Sequence, residues 1–192
     1  MKLFFNQLLI VWIVYMIGTS DAELIARFRQ GDQQAFKELV IKYQKPIYNV
    51  ALRMTHSRAE AEEVCQIVFV KVFEKIDSFK MDHSFFSWLY RIAMNESINS
   101  LKMRKRLSGL DAVHTVIELN PRFELSDPIQ EALMVLKPID RAMIIFRHFH
   151  NLGYQEIAAI LDLSEKKVKA HLFAARKALK PILLSMGVSN EK

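Results

Sequence analysis

The sequence predicts an all-α protein with two small helical domains joined by a flexible linker, the second a helix-turn-helix domain. Apolar residues recur at helical spacing along most of the chain, and capping signals precede many of these segments. Only five Gly and five Pro interrupt its 192 residues. The helical period fades over residues 107–127, which include Gly109 and Pro121, and a linker is therefore predicted there.

The composition is that of a basic globular protein. Hydrophobic residues make up 51% of the chain and charged residues 25%, which argues against a disordered protein. The formal net charge of +6 favours a polyanionic partner, either nucleic acid or an anionic membrane face. The single cysteine, Cys65, cannot form an internal disulfide. Because it follows a helical apolar pattern, we interpret it as a small core residue, with redox sensing as the alternative.

Residues 1–19 form an apolar N-terminal extension. The unbroken apolar run from Leu8 to Ile17 is similar to a signal-peptide core or a membrane anchor, but it is short for a bilayer span. Three hypotheses stay open: a membrane tether, an extra helix on the first domain, or residues that are not normally translated. The third is preferred because a start at Met16 removes most of the apolar run and lies just before the first helix cap at Ser20.

A series of helices is predicted in the first domain, residues 20–106. Ser20 is expected to cap the first helix, and Gly31-Asp32 to end it and cap the next. Pro46 is expected to force a helix boundary, because proline removes a backbone donor. Ser57 is expected to cap the clearest helix. The apolar residues of this helix recur at the three- and four-residue spacing of one helix face: Ala61, Val64, Cys65, Val68, Phe69, Val72, Phe73 and Ile76.

The end of the first domain combines aromatic rings with cations. The rings lie within a dozen positions: Phe79, Phe85, Phe86, Trp88 and Tyr90. A basic run from Lys102 to Arg106 follows. Rings can stack on unpaired bases while cations follow the nucleic-acid backbone. Phe86 and Trp88 are expected to be core residues, whereas Phe79, His83 and Phe85 lie near a loop and are expected to be exposed.

The second domain, residues 128–186, is predicted to end in a helix-turn-helix. Asp127 is expected to cap its first helix, with Pro128 at the first helical position, and Pro138 to start the second helix. A short helix from Tyr154 to Leu161 is followed by a turn at 162–164 and a long final helix.

The final helix is predicted to have one cationic and one apolar face. Its basic residues are Lys166, Lys167, Lys169, His171, Arg176, Lys177 and Lys180. Val168, Leu172 and Leu179 are expected to face the domain. A DNA-recognition helix needs this division, because it must pack on its own domain while offering donors to phosphates and base edges. The alternative is an ordinary solvated basic helix.

Several segments carry a resemblance to a known protein family. They are Gly31-Asp32 with Ala35-Phe36 and Tyr43, then 59–73 and 85–95, and in the second domain 136–138, 152–161 and 168–176. Together they resemble the RNA polymerase sigma factors of the extracytoplasmic-function group. The similarity runs from Asp21 to about Leu184, over two domains in the family's order. The final helix departs from the family pattern at Lys166-Lys167 and at Ala170-His171, where Ser-Arg is usual. The preferred promoter sequence therefore does not follow from the resemblance.

The resemblance implies three sets of functional residues. The set expected to contact core polymerase, through the clamp helices of its largest subunit, is Glu62, Glu63, Gln66, Phe69, Val70 and Phe73. The set expected to melt and bind the minus-ten element is Phe79, Phe85, Asn95, Lys102, Arg104, Lys105 and Arg106. The set expected to recognise the minus-thirty-five element is Lys166, Lys167, Lys169, His171, Phe173, Arg176 and Lys177.

The resemblance also implies a cytoplasmic transcription initiation factor that is not an enzyme. Its expected partners are core RNA polymerase, promoter DNA and an anti-sigma factor, either free or bound to the membrane. No catalytic motif, cofactor, small-molecule substrate or metal site is expected, since no known catalytic or metal-ligand spacing is present. Two alternatives remain: a stand-alone helix-turn-helix regulator, and a membrane-associated protein, suggested by the N-terminal extension alone. The aromatic-basic cluster favours a sigma factor, because a protein that binds only duplex DNA does not need base-stacking rings.

Overall fold

The computed structural model describes residues 19–107 and 128–187, and their regular structure is helical. The helices of the first domain are α1 (Asp21–Arg29), α2 (Gln33–Thr55), α3 (Arg58–Lys75) and α4 (Phe85–Leu107). Those of the second are α5 (Pro128–Val135), α6 (Pro138–Ile144), α7 (Tyr154–Leu161) and α8 (Glu165–Ser185). A 3-10 turn (Ile76–Ser78) follows α3, and a π-helical turn (Ile145–Phe149) follows α6. The all-α, two-domain prediction is thereby confirmed.

Two predicted segments lie outside the described residues: nearly all of the N-terminal extension, and the linker from residue 108 onward. The Asp127 cap lies outside them as well. Within the described ranges, no helix combines the length and the apolar character that a membrane crossing needs.

Side-chain caps start the helices of the first domain at the predicted places. The Ser20 hydroxyl accepts a hydrogen bond from the backbone amide of Glu23 at 3.2 Å. The Asp32 carboxylate accepts from the amide of Gln34 at 2.9 Å, which fixes the start of α2. Between α1 and α2, Gly31 has φ +95°, a left-handed conformation that a side chain would disfavour. The sequence signals for these boundaries are therefore confirmed.

The predicted helix boundary at Pro46 is wrong. Helix α2 continues through Pro46 as one helix of 23 residues. An internal proline costs a helix about 3 kcal/mol. Tyr43 and Ile47 on either side of it are both buried, and α2 packs against α1, α3 and α4. Breaking the helix would expose this apolar face, so tertiary packing outweighs the local cost.

Helix α3 buries a narrower apolar stripe than the sequence predicts. Its fully buried positions are Ala61, Val64, Val68 and Val72, with Ile76 just beyond its end. Cys65 and Phe69 are half-buried, and burial raises the pKa of the Cys65 thiol. The core assignment is wrong for Phe73, which is 48% exposed. Its ring packs against Phe36 at 5.2 Å and Phe28 at 5.5 Å on one side, and these contacts leave about half of the side chain exposed.

The two domains pack against each other through a buried cation. Arg141, in α6, is only 4% exposed. Its guanidinium donates to three carbonyls at the end of α5, those of Leu133, Met134 and Leu136, and to the carbonyl of Met54 in α2. Burial, with a smaller contribution from Arg104, lowers its pKa to about 10. Since helix ends leave carbonyls without intrahelical donors, one side chain here satisfies acceptors in both domains.

His150 also lies between the domains, where its surroundings predict a pH-dependent stability. Its ring packs edge-on against Tyr90 of α4 at 5.6 Å. Burial first, and the nearby Arg53 second, lower the pKa of His150. Nearby His148 has a lowered pKa too, caused by burial and by Arg176 and Arg147. Both groups favour the neutral ring in the folded state, so the unfolded chain binds more protons below about pH 6.5.

We therefore expect the free energy of unfolding to fall as pH drops from about 7 to about 5. His150→Phe should make this decrease smaller, because it removes one proton that unfolding takes up. Urea denaturation at a series of pH values measures the effect. His83→Phe is the control, because His83 is exposed. An unchanged pH dependence in His150→Phe, or an equal change in both variants, would contradict the assignment to His150.

Candidate nucleic-acid interface

The helix-turn-helix of the second domain is built as the sequence predicts. A three-residue turn separates α7 from α8, and its first residue, Asp162, has a left-handed backbone with φ +55°. The Ser164 hydroxyl accepts from the amide of Lys167 at 3.4 Å and starts α8. At the start of α7, the Glu156 carboxylate accepts from the amide of Gly153 at 2.7 Å. Both helices of the motif therefore begin at fixed positions.

Helix α8 has the predicted division between an apolar and a cationic face. Its buried residues are Val168, Leu172, Ala175 and Leu179. The exposed side chains on the other face are Lys166, Lys167, Lys169, Phe173, Arg176, Lys177 and Lys180. His171 is half-buried at the edge between the two faces. Phe173 is a large apolar ring among these cations, and it is 71% exposed. The face therefore offers hydrogen-bond donors together with an apolar group that can contact a thymine methyl.

Three side chains of the cationic face are held by three different elements of the domain. The Nδ1 atom of His171 lies 2.6 Å from a carboxylate oxygen of Asp140 in α6. The Lys169 ammonium lies over the Tyr154 ring of α7, 5.4 Å from its centre. The Arg176 guanidinium lies 3.4 Å from Nε2 of His148. Because the lowered pKa of His148 keeps its ring neutral, Nε2 can accept this bond.

The predicted exposure of Phe79 and Phe85 is wrong. They are 7% and 5% exposed, and their rings pack edge-to-face at 5.6 Å. Phe85 also contacts the Tyr43 ring at 5.7 Å. The Arg29 guanidinium donates to the backbone carbonyls of Ile76, Asp77 and Phe79, and so folds the loop before α4 inward. That inward fold buries residues which lie near a loop in the sequence.

The other aromatic positions also differ from expectation. Phe86 and Trp88, expected in the core, are half-buried. Phe86 stacks on Tyr90 with 4.1 Å between ring centres, and Trp88 packs on Phe79 at 5.1 Å. His83 is exposed, as expected. The density of rings was visible in the sequence, but which side of α4 each ring occupies depends on the neighbouring helices.

The second half of α4 presents one exposed polar stripe. Asn95, Asn99, Lys102 and Arg106 are all exposed and spaced by four, three and four residues, so they share one helix face. Sequence reasoning did not select Asn99, although its spacing from Asn95 would have identified it. Lys105 is exposed too.

Arg104 differs from these exposed residues, because its guanidinium donates to Glu60 and to the carbonyl of Thr55, each at 3.1 Å. It ties α4 to the α2–α3 connection.

A second exposed face, on α3, combines carboxylates with apolar side chains. Of the residues assigned to polymerase contact from the sequence, Phe69 is half-buried and the others are exposed: Glu62, Glu63, Gln66, Val70 and Phe73. Val70 is 57% exposed. This face lies opposite the buried stripe of α3. Exposed apolar side chains rimmed by charge are typical of a protein-binding surface.

Comparisons with known proteins agree with this architecture. The family model "Sigma-70 region 2" matches residues 39–107, and "Sigma-70, region 4" matches residues 126–179. The chain is 31% identical to the RNA polymerase sigma-H factor of Pseudomonas aeruginosa, over 85% of this chain and 95% of that protein. It is 34% identical to the ECF RNA polymerase sigma-E factor of Escherichia coli K12, over 83% of this chain and 92% of that protein.

Solved structures show the same fold. One is the sigma factor RpoE in complex with the anti-sigma factor NepR from Bartonella quintana, at TM-score 0.64 and 24% identity, covering 77% of this chain and 96% of that one. Another is CnrH in complex with the cytosolic domain of CnrY, at TM-score 0.67 and 24% identity, covering 86% and 97%. The likeness extends over both domains described above.

Proposed function

Because this chain belongs to the extracytoplasmic-function group of RNA polymerase sigma factors, we propose that α4 and α8 divide promoter recognition between them. Such a factor binds core RNA polymerase and directs it to specific promoters. In this proposal α4 acts at the melted minus-ten element and α8 recognises the duplex minus-thirty-five element. The main observation in support of this proposal is that each helix presents an exposed polar face while its opposite face is buried in its own domain.

The contacts proposed for α8 follow from exposure and position. Lys169, His171 and Phe173 lie toward the N-terminal half of the helix, where a recognition helix contacts base edges. Arg176 and Lys177 lie one to two turns further on and are assigned to phosphates. Lys166 and Lys167, in the first turn, are also placed to meet the DNA backbone. Base contacts select the sequence, and phosphate contacts fix the orientation of the domain.

The contacts proposed for α4 centre on its exposed stripe. Asn95 offers an amide that can donate to and accept from an unpaired base, and Lys102, Lys105 and Arg106 continue toward the strand backbone. Phe79 and Phe85 are assigned to packing the start of α4, since their rings contact each other and Trp88. Their burial leaves little ring area for stacking on a base. Arg104 is likewise assigned mainly to holding α4 in place through Glu60.

The exposed face of α3 is the proposed contact with core polymerase, and Val70→Asp tests it. We expect this variant to lose roughly tenfold or more of its run-off transcription with core polymerase, since an unpaired carboxylate would be buried at the contact. Its thermal stability should not change. Ile41→Asp is a matched control, because Ile41 on α2 is 58% exposed and Val70 is 57% exposed. Normal transcription by Val70→Asp together with a loss in Ile41→Asp would place the contact elsewhere.

Run-off transcription from genomic promoter fragments tests the function as a whole. Core polymerase should initiate at specific sites only when the chain is added. The chain alone should bind duplex DNA weakly, because its net charge is modest. Salt should weaken this binding further, because it depends on phosphate contacts. Tight, sequence-specific footprints by the free chain would instead support a stand-alone helix-turn-helix regulator.

An anti-sigma partner, a cytoplasmic location and the absence of any catalytic role complete the proposal. One structurally similar sigma factor was solved with an anti-sigma factor, which supports a partner of this kind here. Recovery of polymerase subunits alone from uninduced cells, with no further protein bound, would argue against it. We propose that the chain acts on the chromosome by binding to polymerase and promoter DNA, without catalysing a reaction itself. Fractionation that finds the native protein in membranes would contradict the location.

A further inference from the structure

The contact between His171 and Asp140 joins the exposed face of α8 to a helix that has no part in the proposed DNA contacts. The His171 Nδ1 atom and the Asp140 carboxylate oxygen are 2.6 Å apart, although the two residues are 31 positions apart in the chain. The Asp140 side chain is 18% exposed and that of His171 40% exposed. The carboxylate is thus mostly enclosed while part of the imidazole stays open to solvent.

The chemistry of this pair determines which ring atom is available to DNA. An ionised carboxylate only accepts hydrogen bonds, so the proton between the two groups must be carried by Nδ1 of His171. In a neutral imidazole, the other nitrogen, Nε2, then carries a lone pair and can only accept. In the major groove, the amino groups of adenine and cytosine are the base donors that such an atom can recognise.

The carboxylate is itself held firmly. Asp140 lies in the first turn of α6, which Pro138 begins. The next residue, Arg141, is buried and donates to four backbone carbonyls, so this turn cannot rotate without breaking those bonds. Asp140 is therefore a fixed acceptor against which the ring of His171 is oriented. An orientation set by a rigid neighbour is what accurate base recognition requires.

We propose that Asp140 is a specificity-determining, positioning residue of promoter recognition, acting through His171. It holds Nδ1–H and so directs Nε2 of His171 at an amino-bearing base, adenine or cytosine, in the minus-thirty-five element. This inference rests on the proposed role of α8. His171 stands where the family usually has an arginine, and the two residues differ in what they offer. An arginine offers only donors, whereas an imidazole that donates through Nδ1 can accept through Nε2.

The test uses holoenzyme and a promoter library randomised across the minus-thirty-five element, transcribed at about pH 8, where histidine is ordinarily neutral. Sequencing of the transcripts gives the base preference at each position. The variants are His171→Ala, Asp140→Ala, Asp140→Asn and the double alanine variant. Lys177→Ala is the control for a phosphate contact and should lower all promoters alike. Thermal unfolding of each variant is measured in parallel.

We expect His171→Ala and Asp140→Ala to lose roughly fivefold of the preference for adenine or cytosine at one and the same position. The double variant should lose no more than His171→Ala, because the two residues act as one unit. Asp140→Asn should retain part of the preference, since its amide oxygen can still accept from Nδ1. This variant also keeps the test valid if Asp140→Ala does not fold.

Four outcomes overturn the inference. The first is that Asp140→Ala and Asp140→Asn change transcription from every promoter by the same factor, while His171→Ala changes the base preference at one position. This outcome leaves the proposed role of α8 intact. The second is that the lost preference is for guanine. The third is that the single effects add in the double variant. If His171→Ala changes no position at all, the proposed recognition by His171 fails, and the inference fails with it.

Discussion

Phe85→Ala is expected to lower the free energy of unfolding by about 3–5 kcal/mol, the usual cost of removing a buried aromatic side chain. Phe85 is 5% exposed, and its ring contacts those of Tyr43, Phe79 and Trp88. Asn95→Ala, ten residues along the same helix, is expected to change stability by less than about 0.5 kcal/mol, because Asn95 is exposed. Urea denaturation of the two variants measures the difference directly.

The same two variants separate the role of a residue in packing α4 from its role in contacting DNA. Asn95→Ala should reduce open-complex formation on duplex promoters, and a promoter with a pre-opened bubble should not restore it fully, because base recognition is still missing. Phe85→Ala should lose activity in proportion to its loss of folded protein, and should regain it at lower temperature. Equal stability losses in both variants would show that Asn95 is part of the core. Normal stability in Phe85→Ala would show that its ring is not.

Arg141→Ala is expected to lower the free energy of unfolding by about 3 kcal/mol or more. Its removal takes a donor from four carbonyls, of which only that of Leu133 still accepts from a backbone amide, that of Leu136. Each buried acceptor left unsatisfied costs about 1–3 kcal/mol. Part of this cost is offset, because the variant no longer has to bury a cation. The stability of Arg141→Lys should lie between that of the unchanged protein and that of Arg141→Ala. A lysine keeps a cation at this position, but it lacks the planar group with which arginine reaches several acceptors.

Arg91→Ala is the matched control for this experiment. Arg91 is an exposed residue of α4 whose guanidinium donates to the carbonyl of Ala159 in α7, so it also joins the two domains. Its loss should cost about 1 kcal/mol or less, because its acceptor can bind water instead. Calorimetry of both variants compares a buried with an exposed cation at the same interface. Equal losses would mean that burial of Arg141 contributes nothing to stability.

Local features of the sequence determined the helices and their ends. Ser20, Asp32, Ser57 and Ser164 each accept a hydrogen bond from a backbone amide two or three residues later, as their positions predict. The helical period placed Val168, Leu172 and Leu179 in the core and the cations of α8 outside it. Such features depend on residues within one or two turns, which is why the all-α class and the helix-turn-helix could be predicted without tertiary structure.

Contacts between distant segments decided the rest. Pro46 stays within a helix because α2 as a whole packs against α1, α3 and α4. The loop that contains Phe79 is folded inward by Arg29, 50 residues away, which donates to the Phe79 backbone carbonyl. The hydrogen bond between Asp140 and His171 joins two helices through side chains whose spacing carries no signal in the sequence. The local pattern sets which face of a helix is apolar. Which neighbour covers that face, and which polar atoms meet across it, depends on the packing of the whole chain.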